Sequence, residues 1–185
     1  MDILAHSLWA GAGLAVAARY RPISTPLSTP TVVATVVLAA LPDVLHMLPI
    51  VAWWLWGDGT LATIRAYAIA VPGQEPVVPA MVEMLSHHLH CIMHSALVCG
   101  AVGAVVWAVR RAWWIPLWGW WSHIVIDVFT HSADYYPSPV FYPITQRGFH
   151  GVAWNEPWFM ALNYAALAGV GIWLLLKRKK PPTGL

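Results

Sequence analysis

WFMALNYAALAGVGIWLLL, residues 158–176, carries no charge and is closed by Lys177, Arg178, Lys179 and Lys180. An apolar run of this length matches the roughly 20 residues that cross a hydrocarbon layer, and a basic cluster behind it is a stop signal that stays on the cytoplasmic side. The rest of the chain agrees. Of its 185 residues, 59% are hydrophobic and only 10% are charged, whereas a water-soluble domain carries about a quarter charged residues. The composition points to an integral membrane protein.

Four further apolar stretches precede the last one: Ile3 to Ala18, Thr31 to about Trp56 with a break near Pro42 or Pro49, Met84 to Val109, and Trp113 to about His131. The expectation is an all-α, polytopic helical bundle of about five spans, forming one integral-membrane domain over residues 1–185. The charges fit that layout. Arg19 and Arg21 follow the first span, Arg110 and Arg111 separate the third from the fourth, and four basic residues follow the fifth. Only Arg65 and Arg147 fall on the other side, as expected where Lys and Arg collect in cytoplasmic loops. The first stretch reads as a retained helix rather than a signal peptide, because Asp2 leads it and His6 interrupts it. Pro22, Pro26 and Pro30 stiffen a short inner loop. Residues 132–157, with four prolines among aromatics, read as an ordered outer cap. Trp53, Trp54, Trp56, Trp113, Trp114 and Trp158 lie near span ends as an interfacial belt. No basic stripe suggests nucleic acid.

Two carboxylates, Asp43 and Asp127, fall inside these apolar stretches. Each costs roughly 2.5 to 3.5 kcal/mol in hydrocarbon, so something must compensate them. Each has a histidine at helical spacing: His46 three residues after Asp43, and His123 four residues before Asp127. His123, Asp127 and His131 are spaced by four and form one stripe on a continuous helix. Such a stripe either binds a cation or is a polar seam in which His123 donates to Asp127. Pro42 can break its helix and leave Asp43 at a turn facing the stripe. The run Ser86-His87-His88-Leu89-His90-Cys91-Ile92-Met93-His94-Ser95 adds four histidines, of which His94 lies deepest; His90 is a weaker candidate ligand. His6 reads as a ligand or as a helix-packing hydrogen bonder.

The set His6-Ser7, Leu41-Pro42-Asp43 with His46, His94-Ser95-Ala96-Leu97, and Ser122-His123 leading to Asp127 and Thr130 resembles the YdjM-like, LexA-regulated membrane-bound metal-dependent hydrolases. That family is thought to be related to zinc-dependent phospholipase C and the single-strand nucleases, all-helical enzymes with clustered zinc ions. The resemblance implies that Asp43, His94, His123 and Asp127 surround one metal, and that Asp127 bridges to a second that His6 helps hold. Leu45 stands where family members often have Asp, and His88 to Met93 replace a usual His-Arg-Gly. His131, Asp134, His90 and His46 are the replacement ligands the sequence offers for such a second ion, with His150 and Glu156 as more distant options.

Mixed imidazole and carboxylate ligands favour Zn²⁺, one ion or two, with another divalent metal as the alternative. Asp43 and Asp127 are then the catalytic carboxylates. The expected activity is hydrolysis of a phosphoester or lipid-linked substrate at the outer half of a bacterial inner membrane, with membrane lipid as partner and the C-terminus cytoplasmic. The competing readings are a non-enzymatic metal-binding protein or transporter, a histidine-box di-iron oxidoreductase, and a structural protein whose buried polar groups lock helix packing.

Overall fold

A computed structural model describes residues 1–20 and 27–177. Arg21, Pro22, Pro26 and the basic residues 178–180 lie outside the described residues. Within them the chain forms seven helices: α1 (Ile3–Tyr20), α2 (Thr29–Trp56), α3 (Leu61–Ala68), α4 (Ala80–Met93), α5 (Ala96–Arg110), α6 (Leu117–Thr130) and α7 (Pro157–Leu176). An isolated bridge pairs Ser132 with Tyr135.

Two helices, α2 and α7, are long and apolar enough by themselves to cross a membrane. The expected third span, Met84 to Val109, is instead two helices, α4 and α5, which together pass the same test but are bent by 62°. The expected first and fourth spans correspond to α1, with 18 residues, and α6, with 14.

The bend has an identifiable cause. Ser95 caps α5, its Oγ accepting from Val98 N at 3.2 Å while donating to Tyr142 O at 2.6 Å. The backbone groups that a break would orphan are taken up by other parts of the chain: Trp120 Nε1 donates to Met93 O at 2.6 Å, and Ala96 N donates to Val140 O at 2.9 Å. A helix interruption at this depth survives only where the freed groups find partners within the protein. Val140 itself packs into the core beside Met93, Leu117, Trp120 and Ile124.

Helix α2 is the hub, packing against α1, α4 and α6. It runs unbroken through Pro42 and Pro49, so the expected break near one of them is absent, and Asp43 sits on a helix rather than in a turn. Proline removes one N–H and crowds the preceding turn, and here neighbouring helices supply donors to that turn. Three residues before Pro42, Ala39 O accepts from His123 Nδ1 at 2.8 Å; three residues before Pro49, His46 O accepts from Ser86 Oγ at 2.6 Å. The carbonyls left without their i+4 donor are those of Leu38 and Leu45, one residue earlier, so these bonds brace the loosened turns rather than replace the missing ones, and the helix continues through both prolines. Gly119 allows the closest approach of α6 to α2, since a Cβ there would collide with the carbonyl of Thr35.

Candidate metal centre

One atom from each of Asp43, His94, His123 and Asp127 lies within 4.8 Å of the other three. The hub helix brings Asp43, the α4–α5 bend brings His94, and α6 brings the other two. His94, His123 and Asp127 are fully buried, and the Asp43 side chain is 16% exposed. A cluster this dry has little water to shield its charges.

Tautomers decide what this cluster can be. A carbonyl only accepts, so each histidine whose Nδ1 meets a carbonyl carries its proton there. His94 Nδ1 donates to His90 O at 2.8 Å, His123 Nδ1 to Ala39 O at 2.8 Å, and His131 Nδ1 to Tyr136 O at 2.7 Å. In the neutral rings, all three Nε2 atoms therefore point lone pairs inward. His94 and His123 face each other at 3.0 Å between Nε2 atoms, and Asp127 Oδ2 lies 3.0 Å from His123 Nε2 and 3.3 Å from that of His94. Asp43 Oδ1 completes the ring at 3.5 Å and 3.7 Å from the same nitrogens. Four acceptors converge with no donor between them, and Asp127 Oδ2 has no hydrogen-bond partner. A bound cation, or a proton shared onto one of the imidazoles, resolves such a convergence. Donating the outer ring N–H to a carbonyl is also how metal-bound histidines fix their tautomer, so these residues fit a divalent metal ion.

The polar seam read as the alternative from sequence, with His123 donating to Asp127, requires either the other tautomer, which Ala39 O disfavours, or a protonated ring that donates from both nitrogens.

Asp127 also has a second face. Its Oδ1 lies 2.9 Å from His6 Nε2, 3.4 Å from His131 Nε2, and within hydrogen-bond reach of the Met1 amine and Thr130 Oγ1. The His6 ring stacks on that of His123 with centroids 3.7 Å apart. That stacking turns its nitrogens off line, and both lack a hydrogen-bond partner.

The weaker candidates divide. His131 joins the second face of Asp127. The His90 ring lies 4.1 Å from that of His94, and His46 meets His90 edge-on at 5.6 Å; both are neighbours of the four-residue group rather than members. The rest of the histidine run does not converge, since His87 lies against Cys91 and His88 against the hydroxyl of Tyr142. His150 accepts from Ala133 N at 2.9 Å, and Glu156 stands at the N-cap of α7.

Sequence reasoning missed the carbonyls of Ala39, His90 and Tyr136, which orient the imidazoles. No side-chain pattern marks a carbonyl acceptor. It also missed Gly151, which lets residues 151–154 run against the end of α6, donating to His131 O, Phe129 O and Thr130 O.

Beside the group opens a cavity of about 860 Å³ whose wall includes Asp43, His46, His90 and His131. No family model, curated protein or solved structure matches the chain.

Proposed function

We propose that this chain is a membrane-embedded metal-dependent hydrolase. The observation that supports this most strongly is the convergence of His94 Nε2, His123 Nε2 and Asp127 Oδ2, all acceptors, at 3.0 to 3.3 Å, beside a cavity large enough for a substrate headgroup. The resemblance to YdjM-like hydrolases points the same way.

Imidazole with carboxylate is a zinc ligand set, and zinc, when bound, supplies a Lewis acid and lowers the pKa of its water to about 7. His94, His123, Asp43 and Asp127 would hold the ion, while His6 and His131 lie on the other face of Asp127, where a second ion would have to displace the Met1 amine. Asp43 is the ligand with access to the cavity, and its Oδ2 has no hydrogen-bond partner. It is the group placed to accept a proton from a nucleophilic water. A transporter would string its ligands across the membrane, whereas these gather around one carboxylate.

In this reading the chain crosses a bacterial inner membrane about five times, with residues 132–157 capping the outer side and the C-terminus in the cytoplasm. The substrate is a phosphoester or a lipid-linked compound.

The test is bound metal and hydrolysis measured together. Wild type, Asp127→Asn and His94→Ala are purified without chelating resin, assayed for zinc by mass spectrometry, and offered a phosphoester panel. Zinc in the wild type, its loss in the variants and parallel loss of hydrolysis are expected. Equal metal in all three would overturn the proposal.

A further inference from the structure

Three imidazoles of the site are locked by carbonyls, but the three carbonyls are not alike. Those of Ala39 and His90 belong to α2 and α4, where the helix itself fixes their direction. That of Tyr136 lies in the irregular segment after α6, and Tyr136 has a φ of 46°. Among the described residues one other residue with a Cβ has a positive φ, Arg111, and it caps the end of α5, where the left-handed conformation is ordinary. Tyr136 caps no helix. A left-handed backbone is unfavourable for any residue with a Cβ and uncommon for a bulky one, so contacts around Tyr136 must hold it there.

The two ends of the residue face different neighbours. Inward, its carbonyl accepts from His131 Nδ1 at 2.7 Å. Outward, its hydroxyl donates to Glu75 Oε1 at 2.7 Å, with Ala70 O at 3.4 Å, and its ring meets that of Tyr135 edge-on at 5.2 Å. The main chain of His131 is fixed independently: its N–H donates to Asp127 O at 3.1 Å, and its carbonyl accepts from Gly151 N at 2.8 Å. What remains free to respond is the imidazole. With Nδ1–H on the Tyr136 carbonyl, the neutral ring turns the lone pair of Nε2 to within 3.2 Å of the Met1 amine and 3.4 Å of Asp127 Oδ1. Were that carbonyl to swing away, Nδ1–H would lose its acceptor, and the other tautomer, donating from Nε2 to Asp127, would become the favoured one.

We propose that Tyr136 is a positioning residue: its left-handed backbone sets the tautomer of His131, and its hydroxyl makes that setting depend on the connector between α3 and α4. His131 is then the one imidazole of the three whose presentation to Asp127 is governed from outside the helices. An effect of Tyr136 on hydrolysis rests on the hydrolase reading; its hold on His131 does not.

The tautomer of His131 is read by long-range proton–nitrogen NMR on histidine-labelled, full-length protein in detergent, purified without chelating resin, with His131→Gln identifying its signals. Wild type is compared with Tyr136→Phe, Tyr136→Ala and Tyr136→Gly, and is expected in the Nδ1–H form. Phenylalanine keeps the ring and loses the hydroxyl, while alanine loses both; the Nε2–H fraction should rise in each, and further in alanine. Glycine loses the same contacts as alanine but adopts a positive φ freely. Its ratio of Nε2–H to Nδ1–H should therefore lie about 5-fold or more below that of alanine, the lower end of what a left-handed backbone costs a residue with a Cβ. Equal ratios in the alanine and glycine variants, or a wild-type ratio that survives in both, would overturn the backbone role. An unchanged ratio in Tyr136→Phe would overturn the dependence on the connector. A residue needed only for stability would move the melting temperature and leave the tautomer alone. The same four proteins, loaded with zinc, are then offered the phosphoester panel. Hydrolysis falling from wild type through glycine to alanine supports both readings; the tautomer series with no hydrolysis even in wild type supports the hold on His131 and defeats the hydrolase reading.

Discussion

His94 and His123 present Nε2 to Nε2 at 3.0 Å, each ring locked from behind by a carbonyl. A neutral ring cannot turn its proton toward the other without giving up that bond. If the proposed ion is bound, its removal should therefore expose a repulsive cluster. Chelator-treated protein is expected to unfold at a lower temperature than the zinc-loaded form, because a ligand that binds only the folded state adds about 2.7 kcal/mol at 100 times its Kd. Thermal scans with and without chelator check this, and identical midpoints would count against a metal in this cluster.

Loss of a single ligand should be graded by exposure. Asp43→Asn removes the ligand nearest the cavity and His123→Ala one at the fully buried centre. Both should weaken zinc binding by at least about 10-fold, the lower end of what even outer-shell partners contribute. His123→Ala should also lower the melting temperature further, since it strips the donor from Ala39 O. Zinc titration and thermal unfolding separate the two effects.

Gly119→Ala is expected to destabilise the protein by about 1–3 kcal/mol through overpacking, because its Cβ would be driven into the Thr35 backbone. Gly103→Ala, where a Cβ would meet only Leu117 Cδ1 at 3.9 Å, is the matched control and should leave the midpoint nearly unchanged in a detergent thermal melt.

Ser86→Ala leaves the carbonyl of His46 without its side-chain donor, next to a proline turn, and also unties Tyr67 from Ser86. Losing one such hydrogen bond costs about 0.5–1.5 kcal/mol. Faster hydrogen exchange around Pro49 than around Pro42 in this variant would localise the loss to the α2–α4 contact.

Burial acts to raise the carboxyl pKa of Glu75, but the Tyr136 hydroxyl and nearby backbone donors outweigh it and leave that pKa below the ordinary value. A carboxyl held low contributes stability that is present above its unfolded pKa and is lost as the pH falls through its folded one. The Glu75–Tyr136 contact should thus persist at neutral pH and release in acid. In Tyr136→Phe, Glu75 should titrate at higher pH than in wild type, a shift that carboxyl-carbon NMR reads directly. An unchanged titration would show that the hydroxyl does not hold Glu75.

Much of this arrangement is legible in the residue order. Trp158–Leu176 and α7 differ by one residue, because an apolar run bounded by proline and lysine has only one way to end. The i, i+4 spacing of His123 and Asp127 puts their polar atoms 3.0 Å apart. The bend at His94 is harder to read. Ser95 before an apolar run is a capping signal, but whether a helix stops there depends on Trp120 and Val140 accepting its loose ends, and both arrive from distant sequence. Pro42 misleads for the converse reason: it looks like a breaker, yet α2 runs through it, packed against α1, α4 and α6 with His123 bonded to the same turn.

The paired prolines of α2 also constrain motion. At each loosened turn this helix is fastened sideways, to α6 through His123 and to α4 through Ser86, so it cannot swing without releasing both neighbours. The connector between α3 and α4 is moored from outside these helices by the Tyr136 hydroxyl, through Glu75 at 2.7 Å and Ala70 O at 3.4 Å. Displacing that connector would break two contacts of one hydroxyl, whereas tilting α2 would break its ties to two helices.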